Sequence, residues 1–298
     1  MVSDMADAAD KILSRIKAGE FILADGAWGT RLQEMGLQSG DCPEEWNLTH
    51  PDRIGQIARE YLNAGAEIIL TNTFGGTKYR LQRHGFADKL RDLNVAGAKL
   101  SRAATDELGG FVAGSVGPTG EFVEPEGMLK EREMYDAFKQ QIAALKEGGV
   151  HGICIETMYV VEEAVIAVKA ARDLGLFTIA SLTFDLTPEG FRTMLGATVE
   201  EATRALDQAG ADVIGTNCGN GIADMVRLAH RMRLFTKKPM LVKSNAGLPD
   251  MSSGKPVYAE TPDFMAARMD ELRKLGVNIV GGCCGTTPEH IRQFKQRL

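Results

Sequence analysis

The chain has 298 residues, 34 Lys+Arg against 40 Asp+Glu for a net charge of −6, and 44% hydrophobic residues. The mild acidity and the lack of a Lys/Arg run weigh against a nucleic-acid binder, and no apolar stretch reaches the roughly 18–20 residues of a membrane span. Residues 1–17 lack a signal peptide's apolar centre, so the composition reads as a cytoplasmic enzyme or binding protein with ample chain for a core.

In chain order, residues 7–17 predict a short amphipathic helix placed to cover the bottom of a barrel. One unit then repeats: a short apolar, β-branched run ending in Gly, Thr, Asn or Cys, followed by an amphipathic stretch. Strands are predicted over 21–27, 67–74, 111–117, 152–158, 177–184, 212–219, 239–247 and 277–285. Helices are predicted between them over 51–64, 87–108, 131–148, 160–174, 198–209, 222–235 and 262–275, with 288–298 after the last strand. Several helices close on a turn signature such as Ala64-Gly65-Ala66 or Ala209-Gly210-Ala211, where glycine supplies the left-handed cap before the chain re-enters the sheet.

The strand runs are apolar on both faces, the mark of parallel strands covered by helices. Eight β-then-α units point to an α/β fold, a single (β/α)8 TIM barrel over 21–298 with an N-terminal helical extension over 1–20. A doubly wound open sheet is the alternative. No Pro/Ser-rich linker divides the chain.

A barrel builds its active site at the C-terminal ends of its strands, and the rare polar residues gather there. The ends read Asp25-Gly26-Ala27-Trp28, Thr71-Asn72-Thr73-Phe74, Glu156-Thr157, Asn217-Cys218-Gly219, Asn245-Ala246-Gly247 and Gly281-Gly282-Cys283-Cys284-Gly285-Thr286. Five cysteines exclude a complete disulfide framework, and no C-x-x-C pair suggests a zinc ribbon. Cys42 and Cys154 stand apart. Cys218, Cys283 and Cys284 fall on strands six and eight, close enough in a barrel to converge on one ion, although cysteine is also a common small core residue.

Three thiolates leave one tetrahedral position open, which is the pattern of a catalytic rather than a structural zinc. Such a site carries a net −1 charge and is a poor generator of hydroxide. It is well suited to hold a fourth thiol as thiolate at neutral pH, which points to sulfur alkylation. No phosphate-loop or dinucleotide signature occurs, and none of the five histidines is assigned a role.

These segments, together with Gly117-Pro118-Thr119-Gly120 and Thr286-Thr287-Pro288-Glu289-His290, resemble the homocysteine S-methyltransferase family. They look most like the homocysteine-binding module of cobalamin-dependent methionine synthase, over almost the whole chain. The resemblance implies a zinc barrel (Zn2+ on Cys218, Cys283 and Cys284) that methylates homocysteine, or a related thiol, to methionine. It implies that Asp25 and Glu156 receive the amino group and that backbone amides of Gly26, Ala27 and Trp28 hold the carboxylate. A turn or capping role for Asp25 and a structural ion pair for Glu156 are the alternatives. Thr71, Asn72 and Thr73 are expected at the mouth, or in rim hydrogen bonds. Asn217 and Asn245 are expected to organise the site from behind, or to serve as turn residues.

Two departures touch the pocket wall: Ser244 stands where the family often has proline, and Trp28 where tyrosine is frequent. A single barrel leaves no room for a built-in cobalamin module, so the expected methyl donor is a separate methyl-corrinoid (methylcobalamin) protein. S-methylmethionine or betaine used directly is the alternative, as is a thiol-binding subunit without turnover. The loop over 248–261, with Gly254, Pro256 and Tyr258, is the expected mobile edge.

Overall fold

The computed structural model describes residues 2–252 and 256–298, with side chains from Asp7 onward. Its strands are β1 (Ile22–Leu23), β2 (Ile68–Leu70), β3 (Phe111–Val116), β4 (Gly152–Met158), β5 (Phe177–Leu182), β6 (Asp185–Thr187), β7 (Gly190–Arg192), β8 (Val213–Asn217), β9 (Met240–Ser244) and β10 (Ile279–Gly282). Eight of them pair in parallel in the order β1-β10-β9-β8-β5-β4-β3-β2. A parallel bridge between Ala24 and Ile68 joins the two ends, with Glu67 N donating to Leu23 O at 2.7 Å. The fold is the α/β barrel expected from the repeat. Among the described residues no helix is long and apolar enough to cross a membrane.

The helices form where local chemistry asks for them. Val199–Ala209 is typical: the Thr198 hydroxyl accepts from Glu201 N at 3.1 Å and the Glu201 carboxylate accepts from Thr198 N at 2.8 Å. Gly210 ends the helix at φ +92°, where a side chain would be strained. Val199, Ala202, Thr203 and Leu206 form its buried face. Loss of the Thr198 cap would cost about 1 kcal/mol.

Several boundaries differ from expectation. β1 and β2 keep only two and three residues, because the chain beyond them leaves the ladder to build the mouth. The expected helix over 262–275 is two pieces, Pro262–Ala266 and Met269–Lys274, and the one over 87–108 opens with a 3-10 turn before Leu90–Leu108. The β6–β7 hairpin and the short helices Gly29–Glu34, Trp46–Thr49 and Lys78–Gln82 carry too few apolar residues to announce themselves.

Inward-facing side chains alternate along each strand and stack in layers. The lower layer is apolar: Ile22, Ile68, Phe111, Cys154, Phe177, Val213, Leu241 and Ile279 meet Ile12 and Ile16 of the N-terminal helix Val2–Lys17. Two residues further along their strands, the same period turns Ser115, Glu156 and Lys243 inward, from Ala113, Cys154 and Leu241. All three are buried. The barrel thus changes from apolar to charged within one layer, immediately below its mouth.

Candidate metal and thiol-binding site

Cys218 follows β8, and Cys283 and Cys284 follow β10, with β9 between these strands. β9 holds both cysteine segments: Cys218 N donates to Lys243 O at 3.0 Å, and Cys283 N donates to Ser244 O at 2.7 Å. The glycines before the cysteine pair are required by close approach. A Cβ on Gly281 would lie 2.6 Å from Asp25 O, and one on Gly282 only 2.1 Å from Thr286 Oγ1. The Thr286 hydroxyl donates to Cys283 O at 2.7 Å and accepts from Ala27 N at 3.1 Å, tying the last strand's loop to the first.

The three sulfurs all lie within 4.8 Å of one another, with Cys218 Sγ and Cys284 Sγ 3.8 Å apart. Ligands at about 2.3 Å on a tetrahedral zinc stand about 3.8 Å from each other, so the set fits such an ion. No fourth His, Cys, Asp or Glu joins them among the described residues. Instead all three face a cavity of about 370 Å³. The contact with Cys283 and Cys284 lowers the Cys218 thiol below its usual range and raises the other two.

Backbone strain concentrates at the same place. Cys218 (φ +61°) and Thr157 (φ +57°) are the positive-φ residues other than glycine among those described, a conformation costing roughly 1–3 kcal/mol each. Asn217 holds both strand ends. Its Oδ1 accepts from Thr157 N and from Ser181 Oγ, each at 2.7 Å, while its Nδ2 donates to Thr157 Oγ1 at 2.7 Å and to Cys283 Sγ at 3.9 Å. The Asn245 side chain helps to lower the Cys218 thiol, and its Oδ1 has no protein partner among the described residues.

The charged layer forms the inner wall. Glu156 Oε1 accepts from Ser115 Oγ at 2.6 Å, and burial raises this carboxyl above its usual range against the pull of Lys243. Burial works against the Lys243 ammonium, but Asp25 and Glu156 outweigh it and hold the charge. Lys243 Nζ donates to Asp25 Oδ1 at 2.7 Å, and Asp25 Oδ2 accepts from Trp28 Nε1 at 2.7 Å and Leu70 N at 2.8 Å. The resemblance puts Asp25 at the acceptor's amino group. This residue is fully enclosed, both its oxygens are engaged, and the cavity lining does not include it. Glu156 does line the cavity, and so does Lys243.

The remaining expected residues divide. Gly26, Ala27, Trp28, Thr71 and Asn72 line the cavity, although the Ala27 amide is already spent on Thr286. Thr73 lies behind the rim, donating to Ser115 O at 2.8 Å, and is not part of the lining. In the loop over 248–261, Gly254 lies outside the described residues. Tyr258 is described and lies over Gly285, where a Cβ would meet its ring at 2.1 Å, and it pulls the Cys284 thiol down against the other influences that raise it. Lys243, Ser115 and Tyr258 do not stand out as site residues in the sequence. For Ser115 and Lys243 the signal is there, as polar residues in inward register inside apolar runs.

The parallel barrel converges three cysteine sulfurs on an open cavity at its strand ends, an arrangement that could hold a metal ion. The chain belongs to the homocysteine S-methyltransferase family, whose sequence profile matches residues 22–298. It is 33% identical over 305 residues to a methionine synthase of Mycobacterium leprae, covering 95% of this chain and 25% of that one. It is 29% identical over 309 residues to betaine–homocysteine S-methyltransferase 1 of Rattus norvegicus, covering 96% and 74%. The chain thus spans about a quarter of the methionine synthases it matches. Among solved structures, the metallated homocysteine methyltransferase MmuM from Escherichia coli superposes with a TM-score of 0.76 at 21% identity, over 94% of this chain and 96% of that one. That likeness speaks for the fold.

Proposed function

We propose that this protein is a zinc-dependent methyltransferase that converts homocysteine to methionine in the cytoplasm, with the methyl group delivered by a separate corrinoid protein. The observation that carries the reading is the open triangle of sulfurs facing the cavity. A zinc ion held by Cys218, Cys283 and Cys284 would supply a net −1 centre that keeps an acceptor thiol deprotonated at neutral pH. In the transfer, the acceptor sulfur forms its bond to the methyl carbon as the donor's bond to that carbon breaks, and the donor keeps the bonding pair.

The chain's own groups supply position and charge. Asn217 and Asn245 hold the cysteine sulfurs from behind, and Tyr258 stands over Cys284. Glu156, with one oxygen on Ser115, offers the other to the acceptor's ammonium. Asp25 acts on that pocket through Lys243 and Trp28. Cys42 and Cys154 are held inert by burial, which raises both thiols.

A large donor is supported by the rim. The exposed apolar side chains of Met128, Met194, Leu195, Leu248 and Met251 stand on loops that follow barrel strands, on the mouth face. A quaternary ammonium donor would ask for an aromatic cage, whereas the cavity lining contains two aromatic rings besides His84, those of Trp28 and Phe74. The test is methionine formation from homocysteine with a methylated corrinoid protein, methylcobalamin, S-methylmethionine and betaine in parallel. The reading expects turnover with the corrinoid donors that a zinc chelator abolishes. Faster turnover with S-methylmethionine or betaine would reassign the donor. Thiol binding with no turnover would leave a thiol-presenting subunit.

A further inference from the structure

A second cavity, of about 550 Å³, lies on the flank of the barrel and shares no lining residue with the one at the mouth. Its size falls within the range of small-molecule sites, roughly 300–1,000 Å³. The walls are the β6–β7 hairpin, the first turn of the helix Val199–Ala209 and one face of the helix Ile222–Arg233. Phe191 anchors the hairpin in the core, and Leu186, its cross-strand partner, is left exposed at the cavity. Arg227, His230 and Arg231 stand three and four residues apart, so they share one side of their helix, and Arg192 joins them from β7. Against these four basic side chains the lining holds the carboxylates of Glu189 and Glu200, and Glu200 is already paired with Arg204 at 2.9 Å. Arg227 is likewise paired, with Asp224 at 2.8 Å. Arg192 donates to the Phe191 carbonyl at 3.1 Å and makes no ion pair among the described residues. The nearby Glu201 carboxyl is lowered by its hydrogen bonds to Thr198 and further by the Arg192 charge, so it too is engaged. The side chains of His230 and Arg231 have no hydrogen-bond or ion-pair partner among the described residues.

We propose that this cavity is a second ligand site, for a phosphomonoester carried on a planar ring, the chemistry of a mononucleotide. The methyl transfer makes no use of it. Two guanidiniums without carboxylate partners, Arg192 and Arg231, suit a dianion, and a guanidinium fork matches phosphate oxygens two at a time. A phosphomonoester carries about −1.5 to −2 charges at pH 7, whereas a lone carboxylate would answer one of the two. His230 adds a further donor on the same helix face. Beside these groups the lining is apolar, with Leu186, Phe191, Val199 and Phe235. The Arg227 guanidinium lies 5.7 Å from the Phe191 ring and that of Arg204 5.6 Å from the Phe235 ring. A planar ring finds aromatic and guanidinium faces to stack on there, and it covers Leu186. Bare phosphate would leave that apolar surface in water.

The experiment is calorimetric titration of the metal-free and the zinc-loaded protein with AMP and phenyl phosphate, and with adenosine and inorganic phosphate as the separated halves. AMP and phenyl phosphate should bind with a Kd below about 1 mM. Their affinity should be the same with and without zinc and homocysteine, because the two cavities are separate. Adenosine and inorganic phosphate should each bind weaker than AMP by about tenfold or more. The double change Arg192→Gln/Arg231→Gln removes two guanidiniums that lie outside the core. It should keep the circular dichroism and zinc content of wild type and lose about tenfold or more in AMP affinity. AMP binding that the double variant retains in full, or that homocysteine displaces, overturns the site, as does a lack of binding by both phosphomonoesters. Inorganic phosphate bound as tightly as AMP overturns the ligand class. Methionine formation enters none of these readouts, so this inference and the proposed function fail separately.

Discussion

The two ends of the barrel are built from the same eight strands to opposite purposes. At the lower end, Ile12 and Ile16 of the first helix close over an inward layer of isoleucine, phenylalanine, valine and leucine, every one of them buried. At the upper end, within two residues along β4 and β9, the inward positions become Glu156 and Lys243, and beyond them come the left-handed Thr157 and three cysteines, of which Cys218 is also left-handed. Burial stabilises the first end. The second spends stability on a buried ion pair, strained backbone and crowded sulfurs. Stability and site are thus separable by height in the barrel, and substitutions at the two ends should fail in different ways.

The largest effect is expected from Cys283→Ala. Metal analysis should fall from about one zinc per chain to near zero, with the circular dichroism of the barrel retained. Full zinc retention would remove the ligand assignment. Asn217→Ala comes next, since it frees Thr157, Ser181 and Cys283 at once. Zinc affinity, measured by competition with a chromophoric chelator, should drop about 10–100-fold. An unchanged affinity would make Asn217 a strand clamp only.

At the other end, Ile16→Ala should lower unfolding free energy in urea by about 2 kcal/mol and leave zinc affinity where it was. Loss of metal in that variant would mean the two ends are coupled. The smallest effect is a pH dependence at Glu156. Burial raises its carboxyl above the ordinary value of 4.5, so the folded state binds the proton more tightly than the unfolded one. The cost of ionising it is absent below pH 4.5, grows as pH rises to the folded value, and stays constant above it. Glu156→Gln should therefore melt higher than wild type at neutral pH, with the gap closing as pH falls towards 4.5. A gap that widens on acidification would reverse the assignment.

Much of the fold is legible in the sequence because its signals are periodic. Eight apolar runs separated by amphipathic stretches and glycine caps are long enough to stand above local noise. The β6–β7 hairpin is not, since three-residue strands with an exposed Leu186 carry no period. At the site, the cysteines are legible by chemistry, as rare residues at strand ends. The Asp25–Lys243 ion pair is not, because its partners stand 218 positions apart, and a single lysine in a strand ordinarily marks a surface or an edge. The positive φ of Thr157 and Cys218 is also hidden, because neither residue type advertises that conformation.

The sulfur triangle is the central feature of the site. X-ray absorption at the zinc edge, with and without homocysteine, measures it directly. The zinc-loaded protein should show three sulfur ligands at about 2.3 Å, becoming four when homocysteine is added. Fewer than three sulfurs, or a count that homocysteine does not change, would contradict it.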